Sequence, residues 1–308
     1  MFYILDLTVY LAQGIFGIAE GGLELSGRVR APKMAGSFYE GSTESLRRQI
    51  DECFLHRYGP RELPEVNEKG ARKIVGLICP HAGYMYSGPV AANAYHRLAL
   101  DGSPSLFVIM GPNHHGIGSG VAVMDSGVWR TPLGNIEIDT QTAREIVRQS
   151  SIVDIDDSAH AYEHSIEVQL PFLQYVYGST FKFVPLCFLM QDLETSEEVG
   201  HTLAEVLGDR NAVIVASTDM THYEPHNKAV EKDRKALEAI TKLDEEQFYS
   251  ALDSYSISAC GYGPVMALLK AAKNLKAQKA ELLTYRTSGE ITGDTSAVVG
   301  YAALVIEK

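Results

Sequence analysis

Three short apolar runs of this chain each end in a polar turn, and each turn is followed by an imidazole. Lys73–Cys79 (KIVGLIC) leads into Pro80 and His81. Leu106–Met110 (LFVIM) leads through Gly111-Pro112-Asn113 to His114 and His115. Ala212–Ala216 (AVIVA) leads through Ser217-Thr218-Asp219-Met220-Thr221 to His222. Runs this short, rich in β-branched residues and stopped by Gly, Pro, Asn or Ser, read as buried strands of a parallel sheet. In such sheets ligands gather beyond the carboxyl ends of the strands. Three strands that each deliver a histidine to that edge predict one shared polar site, most simply a metal site.

The segments between these runs carry helical patterns. Ser42 and Thr43 offer a cap for an amphipathic helix over Glu44–Leu55, and Pro89–Leu100 reads as a helix with Pro89 in its first turn. Thr140–Gln149 is helical, and Thr195-Ser196-Glu197-Glu198 fits a capping box before a helix that Gly208 ends. Asn227–Thr241, Glu245–Leu252 and Val265–Leu275 complete the helices, the last opened by Cys260-Gly261-Tyr262-Gly263-Pro264. Gly118–Pro132 reads as irregular or hairpin-like around the only tryptophan, Trp129, while Phe181–Leu189 and Thr295–Ile306 are further strands. No composition break marks a linker. The expectation is one α/β domain with a central, mostly parallel or mixed sheet flanked by helices.

Charge narrows the function classes. With 39 acidic against 27 basic residues the net charge is −12, and no basic stretch offers phosphates a landing site. Nucleic acid and anionic membrane are therefore not expected partners. The four cysteines, Cys53, Cys79, Cys187 and Cys260, contain no CxxC pair, which fits a reduced, cytoplasmic protein. Cys79 and Cys187 lie inside strand-like runs and read as inert core residues. Residues 1–25 are largely apolar, but Asp6 interrupts them and no Lys or Arg precedes Arg28. Neither a secretory signal nor a membrane span has that form, so residues 1–29 are expected to be an extension to a domain at 30–308.

Six motifs in order, PHAGYMYSG (Pro80–Gly88), GPNHH (Gly111–His115), RTPLG (Arg130–Gly134), EHSIEVQLPFL (Glu163–Leu173), STDMTHY (Ser217–Tyr223) and CGYGP (Cys260–Pro264), closely resemble the Memo family. The resemblance runs from Arg30 to the C-terminus. It implies a fold like that of class III extradiol ring-cleavage dioxygenases, with a metal cleft at one edge of the sheet. It also implies His81, His114 and Cys260 as metal ligands, His222 and Asp219 as the polar, catalytic wall of the cleft, and His164 as a further polar position. Archaeal and bacterial members are described alongside an AMMECR-type protein and a radical-SAM protein, which makes these the implied protein partners.

Read on their own chemistry, these residues leave alternatives open. Two imidazoles suit iron, copper or zinc, and a thiolate in place of a carboxylate favours copper, zinc or a modified iron site over Mg or Ca. The same histidines can instead hydrogen-bond loop backbones. Cys260 precedes a helix whose N-terminus favours thiolate, but a small buried residue beside two glycines is the plain alternative. His222 can serve as acid or base, or its ring can be held by Asp219 behind the ligands. His164 and Glu167, three apart, would share a helix face, with a capping or supporting role favoured over ligation. His115 reads as a support for its loop; His56, His96, His160, His201 and His226 read as surface or structural. Tyr84, Tyr86 and Tyr262 line either the cleft or the core, and Arg130 pairs either with an anionic substrate or with a neighbouring acid. Three functions follow: metal-dependent redox or dioxygenase-like chemistry, recognition of a peptide or modified side chain in the same cleft, and metal-dependent hydrolysis.

Overall fold

The computed structural model describes residues 28–208 and 210–308. The expected extension at residues 1–29 therefore falls almost wholly outside the described residues. Arg28 and Val29 are within them and belong to the fold. Val29 opens the first strand, and the Arg28 guanidinium bridges Asp125 and Asp157, 2.5 Å from each.

In chain order the elements are β1 (Val29–Arg30), α1 (Thr43–Leu55), β2 (Ile74–Cys79), α2 (Tyr84–Asp101) and β3 (Leu106–Pro112), followed by three short strands, β4 (Val121–Val123), β5 (Val128–Thr131) and β6 (Gly134–Ile138). Then come α3 (Thr140–Gln149), β7 (Val153–Ile155), α4 (Leu170–Tyr177), β8 (Lys182–Phe188), α5 (Leu193–Leu207), β9 (Ala212–Ser217) and β10 (His222–Glu224). The chain closes with α6 (His226–Thr241), α7 (Glu245–Ser254), α8 (Tyr262–Asn274), β11 (Lys279–Thr287), α9 (Ser288–Thr292) and β12 (Val298–Glu307).

All of these strands join one mixed sheet whose central order is β8-β3-β9-β2-β12. β8, β3, β9 and β2 run parallel, with Met110 opposite Ala216 and Cys79 opposite Ser217, while β12 returns antiparallel to β2. β2 and β3 are buried along their whole length, as unbroken apolar runs in a sheet covered on both faces must be. The three strands that lead to histidines are therefore immediate neighbours, and their carboxyl ends open at one edge. No helix among the described residues is long and apolar enough to cross a membrane.

Several boundaries differ from those expected. α2 begins at Tyr84, five residues ahead of Pro89, and the proline lies inside the helix. The amide that Pro89 lacks would have served the carbonyl of Met85, an exposed residue of the first turn. α5 is capped by Asp192 rather than by Thr195: the Asp192 carboxylate accepts the Thr195 N–H and hydroxyl, and a charged cap complements the helix dipole. α8 begins at Tyr262, ahead of Pro264. Gly118–Pro132 contains two strands, β4 and β5, and Lys279–Thr287 forms β11, which the sequence reading does not include.

One buried ion pair ties the start of the domain to its middle. Arg30 and Glu167 are both buried, 2.5 Å apart, and the same guanidinium donates to the carbonyls of His160 and Glu163 while lying 4.0 Å over the Trp129 ring. Glu167 also accepts the Tyr39 hydroxyl and the Met34 N–H. His160 is fully buried against Trp129 with neither ring nitrogen hydrogen-bonded, and burial, then the Arg30 charge, push its pKa down to about 3.

Two outcomes follow from this knot. Arg30→Ala leaves the Glu167 charge buried without its partner, so urea unfolding should show a loss of about 3–5 kcal/mol, and replacing both residues by apolar ones should cost less than that single change. His160 takes up its proton near pH 6.5 when unfolded but only near pH 3 when folded. Its contribution is thus complete above pH 6.5 and is lost as pH falls from there toward 3, at about 1.4 kcal/mol per pH unit. His160→Phe should flatten the acid limb of a stability–pH profile by that amount.

Candidate metal centre

Each central strand places its polar residue two positions beyond its end: His81 after β2, His114 after β3 and Asp219 after β9. A fourth element completes the site. The loop between β7 and α4 crosses the same edge and brings in Glu163 and His164. It packs close to the end of β3, where a side chain at Gly111 would strike the Ser165 hydroxyl at 2.3 Å.

One donor atom from each of His81, His114 and His164 lies within 4.8 Å of the other two. The His114 and His164 rings stack, 4.4 Å between centroids, and His81 stands edge-on to both at 5.3 and 5.4 Å. His81 is buried, His164 half-buried and His114 open to solvent. Burial, followed by the neighbouring imidazoles, holds His81 well below the usual histidine range. Burial also brings His164 down to about 4, although Glu163 pulls the other way. Both rings are therefore neutral near pH 7, the form that ligates a metal.

Glu163 organises the cluster. Its buried carboxylate accepts His114 Nδ1–H at 2.9 Å and the backbone N–H groups of His114, His164 and Ser165. Burial alone would raise this carboxyl, but the His114 bond, the histidine charges and the Ser165 amide reverse that and hold it well below the carboxylate range. Because a carboxylate only accepts, His114 must carry its proton on Nδ1 and present Nε2 outward.

Cys260 joins through His81, with Sγ 3.1 Å from His81 Nε2. Its loop is docked on the end of β9: Cys260 N–H donates to the Asp219 carbonyl, and Asp219 N–H reaches Cys260 Sγ at 3.2 Å. The next residue must be glycine, since a side chain at Gly261 would meet the Ser217 carbonyl at 2.2 Å. The helix behind Cys260 does not make it a thiolate in the absence of a cation. Burial, then the Asp219 charge, push this thiol up, contrary to the expectation from helix position. Cys79 and Cys187 are fully buried, as expected, and burial pushes both thiols up, Cys79 to about 12.

Asp219 Oδ1 accepts the His81 backbone N–H at 2.8 Å, and burial brings its carboxyl up to about 6. The His222 ring is held by the Ser258 carbonyl, 2.9 Å from Nδ1, and not by Asp219. A carbonyl accepts, so His222 also keeps its proton on Nδ1 and leaves Nε2 free. His115 supports its loop, with Nε2 3.1 Å from the Tyr162 carbonyl.

Other sequence candidates lie elsewhere. Glu167 does not share a helix face with His164: the segment is a loop and a short 3-10 turn, and Glu167 faces Arg30 while His164 faces His81 and His114. Tyr84 is a core residue bonded to the Val168 carbonyl. Arg130 is exposed on β5 against Asn135. Glu163, Ser217 and Ser258 were not candidates. Only the adjacency of Glu163 to His164 signalled any of them, because their partners are distant in sequence.

The Memo-like protein family model matches residues 30–305. A MEMO1 family protein of Methanopyrus kandleri is 53% identical over 281 residues, covering 91% of this chain and 99% of the relative. A MEMO1 family protein of Methanothermobacter thermautotrophicus is 49% identical over 278 residues, covering 90% and 99%. Among solved structures, the uncharacterized protein JW3007 from Escherichia coli K12 matches with a TM-score of 0.54 at 14% identity, over 76% of this chain and all of that one, a likeness of fold alone. With the family model spanning its fold and two relatives matched over nearly their full length, the chain belongs to the Memo family.

Proposed function

We propose that this Memo-family protein holds iron or copper, with zinc as the redox-silent alternative, and uses it in redox chemistry on a small molecule. His81, His114 and Cys260 hold the metal in this reading, with His164 as the remaining nearby donor. The observation that carries it is the convergence of three imidazoles, with a thiol in contact with one of them. The donor set fits such an ion: imidazole and sulfur select late transition metals over the oxygen-loving Mg and Ca. Glu163 behind His114 is the carboxylate–histidine pairing that orients a ligand and raises its basicity.

Bound iron or copper would supply one-electron chemistry that no side chain here provides. The chain's own residues supply position and protons. His222, fixed through Nδ1 on Ser258, accepts or returns a substrate proton at Nε2. Asp219 holds the His81 backbone through Oδ1, and its carboxyl, with a pKa near 6, is a second proton carrier on the same wall.

A second reading, recognition of a peptide or modified side chain, has its own support. Met85 and Tyr223 follow closely in sequence on His81 and His222 and are 65% and 80% exposed, side chains that a bound peptide would cover.

Anaerobic purification and elemental analysis separate the two readings. About one equivalent of iron or copper is expected in the wild type, falling at least tenfold in His81→Ala and His114→Ala, with metal-dependent oxygen consumption lost in parallel. A wild type that takes up no metal when supplied overturns the redox reading and leaves the recognition cleft. Glu163→Gln keeps the shape but removes the charge behind His114, and should weaken metal binding by about 10–100-fold. The measurement is a competition titration against a chelator.

A further inference from the structure

We propose that Ser217 and Gln169 are positioning residues that lock His81 in its Nδ1–H tautomer, so that its Nε2 lone pair always faces the cleft. One buried hydroxyl, that of Ser217, ties these residues together. Ser217 ends β9, is fully buried, and has three polar neighbours: the Ser165 carbonyl at 2.7 Å, Gln169 Nε2 at 2.8 Å and His81 Nδ1 at 2.9 Å.

A carbonyl can only accept, so the single Ser217 proton goes to Ser165. The Gln169 amide has no freedom either. Its Nε2 also donates to the Pro80 carbonyl at 3.0 Å, and its Oε1 receives the Tyr95 hydroxyl proton at 2.6 Å. Flipping the amide would set its oxygen against the Pro80 carbonyl, which can only accept, so Nε2 must be the atom that donates to Ser217. One lone pair of the serine oxygen is thereby taken. The other can be filled only by a proton on His81 Nδ1. The opposite tautomer would press two lone pairs together inside the protein and leave both unsatisfied.

The direction of every bond in the chain Tyr95–Gln169–Ser217–His81 is thus imposed by two backbone carbonyls, those of Pro80 and Ser165. Both belong to segments that build the site: Pro80 precedes His81, and Ser165 follows His164. His81 differs in this from His114, whose tautomer is set by a carboxylate. A hydroxyl fixes the proton without adding charge, which suits the most buried histidine of the three.

The lock is a property of the metal-free protein. Its consequence for metal affinity rests on the reading proposed above, and two readouts keep them apart. The first is the tautomer of His81, from long-range proton–nitrogen NMR on protein labelled at histidine nitrogen. Wild type should show Nδ1–H alone; Ser217→Ala should show a mixture with Nε2–H; Ser217→Thr, which keeps the hydroxyl, should restore the wild-type signal. The second is the affinity for Zn2+ alone, which should weaken by about 10–100-fold in Ser217→Ala and recover in Ser217→Thr.

A wild-type His81 protonated on Nε2, or a folded Ser217→Ala that stays wholly Nδ1–H, overturns the lock. The wild-type spectrum decides this even if Ser217→Ala fails to fold. A tautomer shift in a protein that binds no Zn2+, iron or copper leaves the lock standing and overturns the metal reading instead. An unchanged tautomer in a protein that binds metal does the reverse.

Discussion

The site depends on a buried charge pair that stands behind it and supplies none of its imidazoles. Arg30 stands at the entry to the domain and Glu167 at the far end of the loop that carries Glu163 and His164, and the two meet where both are excluded from water. The Arg30 guanidinium also binds the His160 and Glu163 carbonyls, so it holds the loop at both ends of its run. Such a pair gains little over apolar packing in stability, because two ions must be stripped of water. Its return is definition: a loop with few apolar anchors is given one position, and that position brings His164 against His114. Glu167 reinforces it by accepting the Tyr39 hydroxyl and the Met34 N–H from the segment that follows Arg30.

Glu163 then converts this placement into an electrostatic design. Three imidazoles packed within van der Waals reach would repel one another if protonated, and burial already disfavours charge on His81 and His164. One carboxylate, held ionised by three backbone amides and His114, supplies the cluster with a negative charge at hydrogen-bond distance. The result is a cluster of imidazole donors backed by an anion, an arrangement that favours an incoming cation.

What could be read beforehand follows from the range of the forces involved. The strands before His81 and His114 were legible because a fully buried parallel strand leaves an unbroken apolar run, and its end is punctuated by Gly, Pro or Asn. The exact start of α2 was not, since Pro89 marks a helix start only when nothing else does, and here the amides of Tyr84 and Ser87 find the Phe38 and Gly83 carbonyls. The place of His164 is hidden because H-x-x-E suggests one helix face, while Arg30, 137 residues from Glu167, turns the glutamate away. The roles of Glu163 toward His114 and of Ser217 toward His81 depend on such distant partners, and beyond the adjacency of Glu163 to His164 local pattern carries little trace of them. β11 was missed for a different reason: it is half-exposed, and its alternation is broken by a register shift between Leu282 and Thr284.

The end of β9 shows how the position of residue 260 is set by the backbone around it. Ser217 faces His81 through its side chain, Thr218 accepts the Gly261 N–H, and Asp219 reaches His81 with its carboxylate and Cys260 with its backbone. The loop that carries Cys260 is fixed by the bond from the Cys260 N–H to the Asp219 carbonyl and by the close approach of Gly261, neither of which requires sulfur, while the Asp219 N–H does rest on Cys260 Sγ. The backbone sets where the side chain at position 260 stands, and that side chain sets the chemistry offered there. A scaffold of this kind can change the group it presents at one edge without changing its sheet. That is the physical sense in which a shared fold need not fix a shared reaction.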